Sequence, residues 1–364
     1  MSRLTNLAAL VSSFQTSGSG LTHISQIVNG IKPEDRQAVL NAWSPGNPAG
    51  LDGAMGFNVN IFEQIQARSY DVKLPEILWS SVIPAGSVDT SINVGAKLTS
   101  YRVRDRRGKG AFRAAVGKNI PTVGVTMNKV TIPIESAAVH GQVDLDDLQA
   151  VAFGFEGMNL LTDIGVVMRE ASERHIEQTF FYGYAGLGFA GYLNYSLVPA
   201  TTAGTKAGGG TTWAVATPDE IIKDVQTAIS TVWQNSKGIF VPGRVELPLP
   251  QFGQISSQRI NGTGGNGVNE TVLSFLKKNN LYTQLTGQEL DIVPIRYFID
   301  AGAGGTARMC VSERKDENHY MPMSEVFNMR PPQDEAFATN LFAKYKFGSY
   351  HKPFPTSAIY VDGI

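Results

Sequence analysis

KLTSYRVRDRRGKGAFRAAVGK, residues 97–118, sets eight bases against the single acid Asp105, a net +7 inside a chain whose total is −1. The bases are Lys97, Arg102, Arg104, Arg106, Arg107, Lys109, Arg113 and Lys118. Residues 82–94 before this stretch and 123–134 after it are rich in Val, Ile and Thr, in the alternation of sheet. Strands flanking Arg107-Gly108-Lys109-Gly110 therefore predict a long basic hairpin projecting from a sheet.

An acidic helical region comes next. Asp144 is the expected N-cap, Asp146 and Asp147 are favourable in the first turn, and Gly154 and Gly157 interrupt the helix at its far end. A long helix is then expected from about residue 158 to Tyr182, ending at Gly183, a rod of about 38 Å at 1.5 Å per residue. Leu161, Ile164, Met168, Ala171 and His175 recur at helical spacing and predict one buried stripe. Asp163, Glu170, Glu173 and Glu177 form an acidic stripe elsewhere on the same helix. Residues 135–177 hold nine acids and two bases, net −7, the mirror of the hairpin. These opposed charges predict that Arg102, Arg104, Arg106, Arg107, Lys109 and Arg113 of one copy face acids of the next, with Glu170, Glu173 and Glu177 as candidates. The competing readings are charges that are merely solvated, or arginines that meet nucleic acid. An exposed pair contributes only about 0.2–1 kcal/mol, but a repeated network can fix register and orientation.

Composition points the same way. Charged residues are 17% of the chain, against roughly 25% in a typical soluble domain. A large monomer with so few charges has difficulty staying soluble, so much of its outer surface is expected to be buried against neighbours. The net charge of −1 sets up no global field for nucleic acid or membrane. Cys310 is the single cysteine, so no intrachain disulfide can form, and a lone buried thiol in a short strand is the simple reading. No signal-peptide pattern opens the chain, which predicts synthesis and folding in a cytoplasm. Residues 178–205 carry no charge, yet Gly183, Gly186, Gly188, Gly191, Asn194 and Pro199 make them a poor membrane helix.

Residues 1–70 read as an arm. A short amphipathic helix over Leu4, Leu7, Leu10, Val11 and Phe14 is broken at residues 17–20, and a second starts at Pro33 and stops before Ser44. Such a segment cannot bury enough apolar surface alone, so it must lie against something else. After a Thr/Gly linker at 201–212 comes a mixed α/β unit over about 217–330. Its expected helices are 218–234 and 270–282, and its expected strands 245–249, 292–298 and 308–311. The last 35 residues return to strand patterns. No internal repeat is present.

Chemistry finds little purchase. Gly186, Gly188 and Gly191 spell G-x-G-x-x-G, but the run comes after a helix and opens none, so it reads as a turn and not a dinucleotide site. No G-x-x-x-x-G-K-[ST] loop and no G-x-S-x-G elbow occur. His23, His140, His175, His319 and His351 are scattered without ligand spacing. Asp144, Asp146 and Asp147 are explained by helix capping more simply than by a metal. No cofactor, metal or catalytic residue is expected.

The order of these parts resembles the major capsid fold of tailed bacteriophages, the Hong Kong 97-type fold, an α+β architecture. More narrowly, the chain resembles a phage major capsid family first described as a domain of unknown function. The resemblance spans about residues 70–364. It rests on Glu76-Ile77 with Ile83-Pro84, Ile132-Pro133-Ile134 with 144–148 after it, and Gly183 with Gly191-Tyr192-Leu193-Asn194. Trp213 with Thr217-Pro218-Asp219-Glu220, residues 248–251 and the closing 360–364 complete it. It implies an N-terminal arm (1–70) and peripheral-domain strands (71–135) that carry an extended loop with its tip at 97–118. It further implies a spine helix with the rest of the peripheral domain (136–216), an axial domain (217–330) and C-terminal strands returning to the peripheral domain (331–364).

In such shells the extended loop lies over a neighbour's peripheral domain, and axial loops meet at the five- and sixfold axes. The implied function is self-assembly into pentamers and hexamers of an icosahedral head enclosing double-stranded DNA without sequence-specific binding. The partners are the chain itself, portal and scaffold proteins, with room for a decoration protein and no membrane. The resemblance also implies assembly in the host cytoplasm and residence in the virion, and a start at Met1 adds the expectation of a separate scaffold protein or none. An encapsulin-like compartment of the same fold and an oligomeric cytoplasmic enzyme are the alternatives. Closed shells, and DNA inside them, separate the three.

Overall fold

The structure is a computed structural model, and it describes residues 73–109, 122–154, 160–260 and 270–364. The expected arm and Arg113 lie outside the described residues. Glu76–Ile364 form one compact unit built on two sheets.

The first sheet has six strands. They are β1 (Val88–Asp89), β2 (Leu98–Arg107), β3 (Gly124–Asp144), β8 (Met321–Met329), β9 (Gln333–Glu335) and β10 (Ala338–Gly348). Their order is β1-β8-β10-β3-β2, with β9 on β10. Strand β3 is 21 residues long and changes partner midway. Its first half pairs antiparallel with β2, from Leu98↔Pro133 to Arg107↔Gly124. Its second half pairs antiparallel with β10, from Gly348↔Ile134 to Ala338↔Asp144. Pro133, which has no N–H to give a ladder, sits at the changeover.

Two helices come after β3. The first, α2 (Leu145–Gly154), starts where Asp144 Oδ1 accepts from the Asp146 N–H at 3.0 Å, the expected cap. The second, α3 (Leu160–Tyr182), lies on the sheet, with Met168 against Val143, Leu341 and Ala343. At Gly141 of β3 an added Cβ would stand 2.6 Å from Ile164 Cγ2 and 3.1 Å from Met168 Sδ, so glycine sets how closely α3 approaches. The predicted stripe holds through Leu161, Ile164 and Met168. It then continues through Ser172, Ile176 and Phe180 instead of Ala171 and His175, because steps of four keep the helix facing the strands it crosses. Gly183 ends α3 at φ +74°, a left-handed position that glycine takes without strain.

The second sheet has five strands in the order β4-β11-β7-β5-β6. These are β4 (Ala200–Thr202), β5 (Arg244–Leu247), β6 (Asp291–Pro294), β7 (Arg308–Ser312) and β11 (Ala358–Asp362). One face sends Val245, Leu247, Met309, Val311, Ile359 and Val361 into a core with α4 (Pro218–Asn235), through Ile221, Val225, Ile229 and Val232. Each such fully buried side chain contributes about 1.5–3 kcal/mol relative to exposure. Helix α4 opens on a capping box in which Thr217 N–H donates to Glu220 Oε2 at 2.8 Å.

Several expectations are corrected. Residues 82–94 are mostly not strand; the short helix α1 (Trp79–Val82) and the two-residue β1 stand there. Pro84, Asn93 and Gly95 interrupt the apolar run, and Ala96 N–H closes a turn onto Asn93 O at 2.9 Å. The strand expected at 245–249 stops at Leu247, and Pro248 leads straight into α5 (Leu249–Ser257). The helix expected at 270–282 is two, α6 (Val272–Lys278) and α7 (Leu281–Thr286), because Asn280 Oδ1 accepts from Thr283 N–H and starts a new helix. Strand β6 ends at Pro294, ahead of a 3-10 turn at Arg296–Phe298. Strand β8, expected in the α/β unit, belongs to the first sheet, and β11, expected to return to the first sheet, belongs to the second.

Gly141→Leu should lower the subunit's unfolding free energy by about 1–3 kcal/mol through overpacking against Ile164 and Met168. Urea denaturation of the variant beside the unmutated chain measures it.

Candidate assembly interface

The basic hairpin exists as β2 with the first half of β3, and its charges sort by strand periodicity. Arg102, Arg104 and Arg106 are exposed and face the same way, opposite Lys129, Met127 and Val125 across the ladder. A basic row on β2 thus runs beside an apolar row on β3. Val123, Val125 and Met127 are 77%, 62% and 54% exposed, and Leu98 at the root is 62% exposed. On the other face Arg107 Nε reaches back to Asp105 Oδ2 at 2.7 Å. Lys109 is exposed beyond the last ladder pair, Arg107↔Gly124, and Gly110 with the rest of the tip lies outside the described residues.

The root of the ribbon is fixed. Tyr101 packs edge-on to Tyr320 and His351 with ring centroids 5.6 and 6.4 Å apart. Tyr320 donates to Asp89 Oδ2 at 3.0 Å. Burial beside Tyr195 and Tyr320 pushes the Tyr101 hydroxyl up to about 12. Beyond Tyr101 the paired segments 102–107 and 124–129 have only each other among the described residues. A two-stranded ribbon alone is marginal in water and needs a further layer.

The three candidate acids do not share one environment. Glu170 lies toward solvent and pairs with Arg174 one turn on, at 2.6 Å. Glu173 Oε2 accepts from the indole N–H of Trp79 at 3.1 Å. Glu177 is buried, 1% exposed, and is spent inside its own subunit. Its carboxylate accepts from Leu78 N–H at 2.7 Å and from Arg296 Nη2 at 2.9 Å on both oxygens. Glu177 is therefore corrected from an intersubunit candidate to a brace between α1, α3 and the turn after β6. The sequence stripe could not show this, since α1 approaches the helix from about 100 residues earlier.

Cys310 is buried in β7, its thiol pushed up to about 12 by burial. Among the described residues no group of three or more His, Cys, Asp or Glu is placed to hold a metal ion, and no helix is long and apolar enough to cross a membrane.

Compared with known proteins, the model of one family, described as major capsid protein, matches residues 109–364, well over half of the chain. The chain belongs to the major capsid protein family. Its role is that of a capsid shell subunit. No curated protein matches it in sequence. Among solved structures, one titled "The capsid of Myoviridae Phage XM1" aligns over 84% of this chain and 98% of its own, at a TM-score of 0.68 and 14% identity. A structure titled "Gordonia phage Cozz" aligns over 85% of this chain and 93% of its own, at a TM-score of 0.55 and 12% identity. The capsid of a native GTA particle aligns over 82% and 94%, at 0.54 and 10% identity. The fold is thus shared where sequence likeness has almost gone.

Within this capsid family member, sequence reasoning missed the apolar row at Val123, Val125 and Met127. Their alternation with Gly124 and Thr126 is that of a half-buried strand, and it reads as sheet core. Phe337, 79% exposed at the turn between β9 and β10, escapes notice because a single aromatic carries no period.

Glu177→Ala should cost the isolated subunit about 3 kcal/mol, since it leaves the Arg296 guanidinium and the Leu78 N–H without their acceptor. Denaturant titration of dissociated subunits reads this. An effect seen only on assembly would return Glu177 to the interface.

Proposed function

We propose that the chain is a Hong Kong 97-type shell subunit that assembles into pentamers and hexamers of an icosahedral head enclosing double-stranded DNA. The observation that carries this reading is the two-stranded ribbon with exposed apolar and basic rows and no third layer of its own among the described residues. Its partner layer is the peripheral domain of the next copy, in which Arg102, Arg104, Arg106 and Lys109 face acids that include Glu170 and Glu173. The apolar row contributes by burial, at about 25 cal/mol per Å2, and the charges set orientation. Arg113 belongs to the same tip.

In this reading residues 1–70 strap a neighbour, α3 is the spine helix, and the sheet carrying α4 to α7 is the axial domain. Strand β8 joins the peripheral part and β11 the axial part. The low overall charge fits a subunit whose surface is largely covered, with several thousand Å2 buried per copy. Assembly takes place in the host cytoplasm with portal and scaffold proteins, and a decoration protein fits the outer surface. The enclosed DNA is held without sequence-specific contacts.

Reversing the exposed row, Arg102→Glu with Arg104→Glu and Arg106→Glu, should leave the subunit's stability within about 1 kcal/mol of the parent while abolishing closed particles. Negative-stain microscopy and sedimentation measure assembly, and circular dichroism measures the fold. Parental particle yield from the triple variant would refute the pairing. Val125→Ser with Met127→Ser should weaken assembly without the salt dependence expected of the charge variants.

A further inference from the structure

Three chain crossings join the two sheets: residues 183–199, 313–320 and 349–357. Two of them are locked to each other by an antiparallel bridge, with Tyr320 N–H to His351 O and His351 N–H to Tyr320 O both at 2.9 Å. The face of the second sheet turned toward this joint is polar. Arg244 and Glu246 of β5 stand there in register with Ser312 and Cys310 of β7, on the opposite side from Val245 and Val311. Glu246, Ser312, His319 and Lys352 are each 3% exposed or less.

At the centre is His319. Its Nδ1 lies 2.9 Å from the Tyr350 hydroxyl, and its ring stacks on Tyr192, which donates to Glu246 Oε2 at 2.7 Å. The charges that act on it are mostly cations. Lys352 comes from the third crossing, Arg244 from β5 and Arg314 from the second crossing, while the Glu313 main chain acts in the opposite sense. Arg244 is satisfied by Glu246 at 3.0 Å, whereas Lys352 Nζ has no hydrogen-bond partner among the described residues.

We propose that this joint is an acid-sensitive latch, in which protonation of His319 adds a further cation beside Lys352 and Arg244 and opens the crossings, freeing the two sheets to change their relative angle. Desolvation, then the Lys352 charge, pushes His319 down from 6.5 to about 2. The closed joint therefore holds a neutral ring, while the opened joint takes up a proton below 6.5. Stability from this group is complete above 6.5 and is lost as pH falls from there toward 2. The opening equilibrium should rise by up to about tenfold per pH unit, roughly 50-fold between 6.5 and 4.5. Lys352, lowered to about 8 by burial, is charged throughout that window and adds no slope. Glu246, raised by burial, takes up its proton earlier in the closed joint and so opposes the trend. It remains in place when only the histidine is changed.

Hydrogen exchange of the intact full-length chain, corrected for the intrinsic pH dependence of exchange, tests the latch. Peptides covering 313–320 and 349–357 should open with falling pH in the parent. His319→Gln should remove most of that dependence between 6.5 and 4.5, leaving the smaller share of His351, which burial also lowers. Should His319→Gln fail to fold, exchange at the imidazole C2–H in the parent decides the matter. His319 should show no titration near 6.5 and should exchange only as the amides of the joint open. Acid-independent amides in the parent, an unchanged pH profile in His319→Gln, or an ordinary His319 titration near 6.5 would each overturn the latch. None of these readouts depends on how the subunits assemble.

Discussion

A β-strand has two edges and two faces, and among the described residues β3 gains a helix over one face only along its C-terminal part. There it has β10 on one edge and α3 on one face, close enough at Gly141 that a methyl group would collide. Along its N-terminal half it has β2 on the opposite edge, and residues 124–129 are exposed on both faces. Much of the remaining architecture rests on this division. The covered half is a sheet on which a long helix can rest, and the uncovered half is a ribbon with no second layer among the described residues.

The helix that covers β3 is in turn positioned by charge as well as by apolar contact. Glu177 binds Arg296 and the Leu78 main chain, tying α1 and the turn after β6 to one point on α3. The second sheet is two-sided in a related way. Its face toward α4 is apolar at Val245, Leu247, Met309 and Val311. Its other face carries Arg244 with Glu246, and Arg308 with Asp362 at 2.6 Å. Removing either partner of such a pair costs far more than the pair contributes. The charges therefore fix how the strands register with the crossings above them.

How much of this was legible depended on whether the determinant was local. Helix α4 was legible because Thr217 and Glu220 cap it by contacts three residues apart, and α3 because one stripe recurs over 23 residues. The basic run was legible as a charge count. Three things were not. The content of 82–94 was misjudged because Val and Ile favour strands, while Pro84 and the turn at Asn93 decide otherwise. The sheet membership of β8 and β11 depends on partners far along the chain, such as Ile359↔Val311 and Phe347↔Met323, and no period encodes a partner. The burial of Glu177 depends on Arg296, 119 residues away.

The low charge content takes on a different meaning once the ion pairs are placed. Only 17% of the chain is charged, yet Arg244–Glu246, Arg308–Asp362, Lys206–Asp224 and Arg296–Glu177 all draw on buried or largely buried side chains. Charges used inside to fix geometry cannot also hold water outside. The surface left behind includes Val123, Val125, Met127 and Phe337, each more than half exposed. A solitary protein in water gains from the reverse allocation, with charges out and large apolar groups in. This allocation suits a subunit whose stable surroundings are other copies of itself. There, accurate internal register matters more than solubility, because an error of angle in one subunit is repeated at every contact of a closed shell.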